Sequence, residues 1–235
     1  MGMTDDLNAE VNKIIKEQWT TTDGRVVPET ENIELGNKGV NLDATCLYAD
    51  LAESTNLVNA YRATFAADVY KCYLNCACRI IRSQEGVITA FDGDRVMAVF
   101  IGDTRNTAAV RAALAINHAV TEIINPALKA FYKENLKDFQ VRHSVGIDTS
   151  KVMAARTGIR GANDLVWVGR SANYAAKLCN LREGNYATWI TGDVYDKMAD
   201  RVKMTTDGTK NMWEERSWTA QGGLRVFRSS YYWGL

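Results

Sequence analysis

Two aspartates close two apolar runs. Asp50 follows Ala44-Thr45-Cys46-Leu47-Tyr48-Ala49, and Asp94 stands between Phe91-Asp92-Gly93 and Arg95-Val96-Met97-Ala98-Val99-Phe100. A lone Asp in an Asp-Gly turn is ordinary turn chemistry. A facing pair of carboxylates can do more, because hard divalent cations take carboxylate oxygens and keep positions open for water and phosphate. Paired ions stabilise both the attacking and the leaving oxygen of a phosphoryl displacement. Asn173 and Lys177 add an amide and a cation four residues apart in an Ala-rich stretch, so on a helix both reach one ligand. Taken alone, that lysine is a solvated residue on a helical face.

Period and punctuation define the elements that must hold these groups. Residues 44–49 form a short, β-prone apolar run, and 57–83 have apolar residues at helical spacing without Gly or Pro, which predicts one long helix. Residues 86–91 and 95–100 flank Asp92-Gly93 and predict a hairpin. A second helix is expected over 104–124 with Pro126 marking its end, then a strand over 139–147. A further helix over 171–182 and strands over 187–191 and 224–228 complete the pattern. The order strand, helix, hairpin, helix, strand predicts an α+β fold with a ferredoxin-like βαββαβ core. In that core the first strand lies beside the hairpin, so Asp50 and Asp94 face each other. Ser54 and Thr55 open the first helix, where free N–H groups favour phosphate and either hydroxyl can cap. Residues 1–40, amphipathic over 7–19 and turn-rich beyond, read as an N-terminal arm on a domain spanning 41–235.

The chain has 235 residues, 46% of them hydrophobic, enough for a full core in one domain. Its formal net charge is zero and its basic residues are scattered, so no nucleic-acid partner is expected. The first residues show neither a basic nor an apolar targeting region, and no apolar run reaches the roughly 20 residues of a membrane span, so a cytoplasmic protein without a membrane partner is expected. Five cysteines, three of them at 72, 76 and 78, give an odd count and read as buried reduced thiols.

The Asp50 and Asp94 segments, followed by Val166-Trp167-Val168-Gly169-Arg170-Ser171-Ala172-Asn173-Tyr174-Ala175-Ala176-Lys177, resemble the catalytic motifs of class III nucleotidyl cyclases in order and spacing. Over nearly its whole length, including Gly24-Arg25-Val26-Val27-Pro28, the chain looks like the pyrimidine cyclases of bacterial Pycsar antiphage systems. The resemblance implies a class III cyclase catalytic domain with extra helices and strands, and two Mn2+ or Mg2+ ions held by Asp50, Leu51 and Asp94. Thr55 matches a threonine closing the family's metal motif. Asn173 matches an asparagine that orients the ribose. Lys177 stands where arginine is usual, a point charge without the bidentate fork. In Gly146-Ile147-Asp148-Thr149-Ser150-Lys151-Val152, Asp148, Ser150 and Lys151 replace the family's His, Gly and Arg, and Lys151 is a candidate phosphate contact. A lysine that many cyclases use near the C-terminus aligns around Thr219, with Arg225 and Arg228 as nearby substitutes.

In adenylate cyclases of this family a lysine and an aspartate read the adenine; here those substrate-binding positions fall on Ala90 and Val166, which offer no side-chain hydrogen bond. Tyr48, two residues before Asp50 and on the same strand face, offers a ring and a hydroxyl, with Trp167 as a further wall. The resemblance thus implies a homodimer with composite sites that converts UTP to cyclic UMP, or CTP to cyclic CMP, an adenylate or guanylate cyclase being the remoter alternative. The product would act on a separately encoded effector.

Overall fold

The computed structural model describes residues 2–136 and 138–234. In chain order the elements are α1 (Met3–Lys16), β1 (Thr20–Asp23), β2 (Lys38–Leu51), α2 (Ser54–Ala60), α3 (Ala63–Ser83), β3 (Val87–Asp92), β4 (Arg95–Phe100), α4 (Arg105–His118) and α5 (Asn125–Tyr132). They continue with β5 (His143–Ile159), β6 (Ala162–Gly169), α6 (Arg170–Cys179), β7 (Thr188–Thr191), α7 (Gly192–Lys197), β8 (Glu214–Trp218) and β9 (Leu224–Ser229). The sheet runs β3-β4-β2-β5-β7-β9-β8. Its first four strands are the expected ferredoxin-like core, with β2 between the hairpin and β5. Beyond β5 lie the added strands, while β6 folds back on β5 and β1 runs parallel to the start of β2.

Strand alternation divides the core into two layers. On β2, Leu47, Ala49 and Leu51 face α3 and α4 and join Val69, Tyr73, Ile81, Phe100 and Leu114. Leu42, Ala44 and Cys46 point the other way and pack with Met97, Val99, Val152, Trp167, Ala172 and Ala175, the layer beneath α6. Each large side chain so buried contributes about 1.5–3 kcal/mol. α6 comes close to β5 because Gly146 has no side chain: a Cβ there would lie 2.1 Å from the Ala175 carbonyl oxygen.

The sequence expectations need four corrections. The helix over 57–83 is broken at Tyr61 and Arg62, both extended, because the Tyr61 ring packs on Phe65 and Phe139 and its hydroxyl donates to the Leu136 carbonyl. Helix continues through Pro126: Ala119–Ile124 is a π-helical stretch, and the proline falls in the first turn of α5, where its missing N–H costs little. The strand expected over 139–147 starts only at His143 and runs on to Ile159, paired with β2 on one side and with β6 and β7 on the other. Among the cysteines, Cys46 and Cys179 are buried, but Cys72 is exposed on α3, and Cys76 and Cys78 are half-buried at the margin of the core that α3 covers. Among the described residues, no helix is long and apolar enough to cross a membrane.

Candidate functional site

Asp50 sits at the carboxyl end of β2, opposite Arg95 on β4 and Ser144 on β5. The β3–β4 turn carries Asp94 to the same place, and Gly93 takes φ +62° to make that turn, a conformation that favours glycine. The two carboxylates are close enough to repel. Burial raises the Asp50 pKa first, the Asp94 charge raises it further, and the Arg182 and Arg95 guanidinium groups offset part of the shift. Asp94 Oδ2 is buried and has no hydrogen-bond partner among the described residues. After Asp50 the chain turns at Glu53, in the left-handed region at φ 61°, and enters α2. Glu53, not Ser54 or Thr55, is the N-cap residue, and no side chain caps that helix; Ser54 is half-buried and Thr55 exposed at its open end.

Tyr48 lies on the Asp50 face, opposite Met97 and Gly146, and Ala90 pairs with Met97 one strand further out. Arg95 lies over the Tyr48 ring at 5.4 Å and ion-pairs with Asp92 at 2.6 Å. Burial raises the Tyr48 pKa, so its hydroxyl keeps its proton and can donate. Tyr48 and Ala90 pack against the apolar layer to which Trp167 belongs, and Trp167 Nε1 is buried without a partner. Val166, on the opposite face of β6, is 40% exposed. Tyr48, Ala90 and Trp167 thus belong to one apolar layer from which Val166 turns outward, but in register Trp167 lies opposite Ala154, ten residues along β5 from Ser144, the partner of Asp50.

Asn173 and Lys177 share the outer face of α6, both exposed, while Ala172, Ala175, Leu178 and Cys179 face the sheet. Asn173 stands about 9 Å along the helix axis from Cys179, the residue whose thiol pKa is raised by burial and by nearby Asp50. Among the described residues, no hydrogen bond or ion pair joins Asn173 or Lys177 to Asp50, Asp94 or Tyr48. Both side chains are exposed to solvent. Lys151 pairs with Asp43, on the opposite sheet face from Asp50 and about 23 Å from Ser144 along β5, so it is not brought to the aspartates. Arg225 ion-pairs with Asp196, and Arg228 is engaged by Glu183 and Glu214.

Two features escape a reading of the sequence. Asp148 is fully buried, where Arg170 donates to it at 3.1 Å and Thr191 also donates. Arg170 reaches on to Asp193, so the start of α6 is clamped between β5 and α7. Arg182 is the second. The helix expected over 171–182 ends at Cys179, where i+3 turns closed by the N–H groups of Asn180 and Leu181 redirect the chain. Arg182 Nη2 then donates to Asp50 Oδ2 and to the Leu51 carbonyl, each at 2.8 Å. The only sequence signal was a cation at the expected end of the Asn173 helix, with nothing to say where it pointed.

The donor set fits a divalent cation. Two aspartates and the Leu51 carbonyl converge, Asp94 keeps an orphaned buried oxygen, and a guanidinium already occupies part of the place.

No protein-family model matches the sequence. Curated relatives do. The chain is 47% identical over 236 residues to a protein of Xanthomonas perforans named uridylate cyclase, covering all of both chains. A protein of the same name from Burkholderia cepacia is 47% identical, with 99% of each chain covered, and one from Rhodovulum sp. is 37% identical, with 99% and 98% covered. Among solved structures, the adenylyl cyclase CyaB from P. aeruginosa aligns with a TM-score of 0.66 at 20% identity, covering 81% of this chain and 95% of that one. The guanylyl cyclase Cya2 aligns at 0.68 and 17% identity, covering 83% and 95%.

Proposed function

The chain belongs to the uridylate cyclases, nucleotidyl cyclases built on the class III fold, and from that premise we propose that it closes UTP to 3′,5′-cyclic UMP and releases pyrophosphate. The observation that carries the reading is the convergence of Asp50 and Asp94, the latter with a buried oxygen that nothing among the described residues satisfies. Asp50, Asp94 and the Leu51 carbonyl would hold two Mn2+ or Mg2+ ions. Such ions, when bound, supply positive charge to the attacking ribose 3′-oxygen and to the departing pyrophosphate.

The chain's own residues do the rest. Asn173 holds the ribose so that its 3′-oxygen lies in line with the α-phosphorus. Lys177, one turn along α6, offsets the negative charge that grows on the transferring phosphate. Ser54 and Thr55, at the open end of α2, flank the phosphates. Tyr48 donates its hydroxyl to the pyrimidine edge, while Ala90, Val166 and the Trp167 ring leave a pocket without the groups that would read a purine. Because Asn173 and Lys177 are exposed on α6 and make no contact with the aspartates, a complete site needs two copies: a homodimer in which one copy gives the aspartates and its partner gives the base pocket and α6. Residues 1–40 act as an arm on the catalytic domain of 41–235, and cyclic UMP acts as a messenger to a separate effector in defence against phage.

Purified protein incubated with equimolar ATP, GTP, CTP and UTP and Mn2+, beside Asp50→Asn, tests the reading by product analysis. Cyclic UMP lost in the variant is expected. Cyclic CMP as the main product would reassign the base, cyclic AMP or GMP would overturn the pocket, and no cyclic product would overturn the catalytic reading.

A further inference from the structure

Arg182 makes two contacts with one guanidinium nitrogen, to the Asp50 carboxylate and to the Leu51 carbonyl oxygen. Those are two of the three groups assigned above to divalent cations, and the inference that follows rests on that assignment. We propose that Arg182 is a built-in competitor for the metal site: it holds Asp50 and Leu51 in the metal-free enzyme and must leave before an ion can bind them.

Charge and room both support this. The aspartate pair carries two negative charges, and Arg182 cancels one of them at Asp50 while Asp94 Oδ2 stays unpartnered. Arg95, the other cation nearby, is tied to Asp92. One guanidinium therefore holds the pair without satisfying it, and a divalent ion brings the charge that would balance it. The Arg182 side chain is 37% exposed against 13% for Asp50, so the cation is the partner able to swing out. It borders a cleft of about 220 Å3 lined by Ala52, Arg142, Ser144 and Gly184, which has space for a displaced guanidinium. Arg182 also lies three residues beyond the end of α6, on a loop whose backbone can adjust. Displacement costs an ion pair, so free metal binds weakly. A metal–triphosphate complex binds better, since its phosphates supply the anion that Arg182 gives up. The arginine thereby ties metal loading to the arrival of the nucleotide.

Calorimetric titration of nucleotide-free protein with Mn2+ tests the proposal without any turnover. Arg182→Met keeps the stem and removes the competing charge, and is expected to bind Mn2+ about tenfold tighter than the wild type. Arg182→Lys, which keeps the charge but not the planar fork, is expected between the two. A non-hydrolysable UTP analogue should tighten Mn2+ binding in the wild type far more than in Arg182→Met. Equal or weaker Mn2+ binding by a folded Arg182→Met overturns the proposal; if that variant does not fold, wild-type affinity in Arg182→Lys does so. The double variant Asp50→Asn/Arg182→Met separates the two readings, because tight Mn2+ binding retained there means that the aspartate site itself is wrongly assigned.

Discussion

Gly146 lies directly beneath Ala175, so close that a Cβ on the glycine would sit 2.1 Å from the Ala175 carbonyl oxygen and 2.4 Å from the Cys179 amide nitrogen. Backbone cannot yield as a side-chain tip can. Gly146→Ala is therefore expected to lift α6 from the sheet, at a cost of about 3 kcal/mol. Denaturant unfolding should show the loss, and turnover should fall with it because α6 carries Asn173 and Lys177. A stable, fully active variant would mean that the helix position does not matter to the site.

Replacing Asp94 by Asn removes a like charge from beside Asp50 and so relieves a repulsion that the fold now tolerates. The melting temperature should hold or rise while turnover falls about a thousandfold, the loss of about 4 kcal/mol of transition-state stabilisation. Thermal denaturation and product analysis on the same sample decide it. A variant that loses stability along with activity would argue for a structural role.

Since the aspartates and the Asn173–Lys177 face are presented separately, two inactive chains should repair each other. Asp50→Asn mixed in equal amounts with Lys177→Met, after subunit exchange, should recover about a quarter of wild-type activity, as half the dimers then hold one intact site. Each variant alone should stay inactive. No recovery after verified exchange would place both halves of the site within one chain.

Tyr48 keeps its proton, and among the described residues its hydroxyl has no hydrogen-bond partner, so it is available to a base. Tyr48→Phe should lower kcat/KM for UTP by about a hundredfold, as a site built for a hydrogen bond loses it. Purine triphosphates should be affected little. Comparing kcat/KM for all four triphosphates exposes the difference, and a uniform drop would reassign Tyr48 to packing.

His143 is buried beside Tyr73, and burial lowers its pKa to about 4 from 6.5. Below pH 6.5 the unfolded chain binds a proton that the folded one refuses, so stability falls as pH drops from 6.5 towards 4. Between pH 7.5 and 5.0 the expected loss is about 2 kcal/mol. Asp50 and Asp148 have raised values and act in the opposite sense: they favour the fold below 3.8 and lose that contribution as pH rises through their folded values, a contribution common to wild type and His143→Gln. Urea unfolding of wild type and His143→Gln measures it, and an unchanged slope in the variant would acquit the histidine.

Sequence by itself determined the parts that depend on neighbours along the chain. Asp92-Gly93 specified the hairpin, and the order of apolar periods specified the ferredoxin-like core, because turn geometry and strand alternation are local. Core topology then placed Asp50 next to Asp94, and spacing placed Asn173 and Lys177 on one helical face. Tertiary structure decided what depends on groups far apart in sequence. Tyr61 packing on Phe65 and Phe139 broke a helix that periodicity alone would have continued, and a π-helical stretch carried another through Pro126. The parity of β5 turned Lys151 to the wrong face. The pairing of Arg182 with Asp50, 132 residues away, has no local signature at all, because an ion pair is fixed by where two strands and a loop end in space.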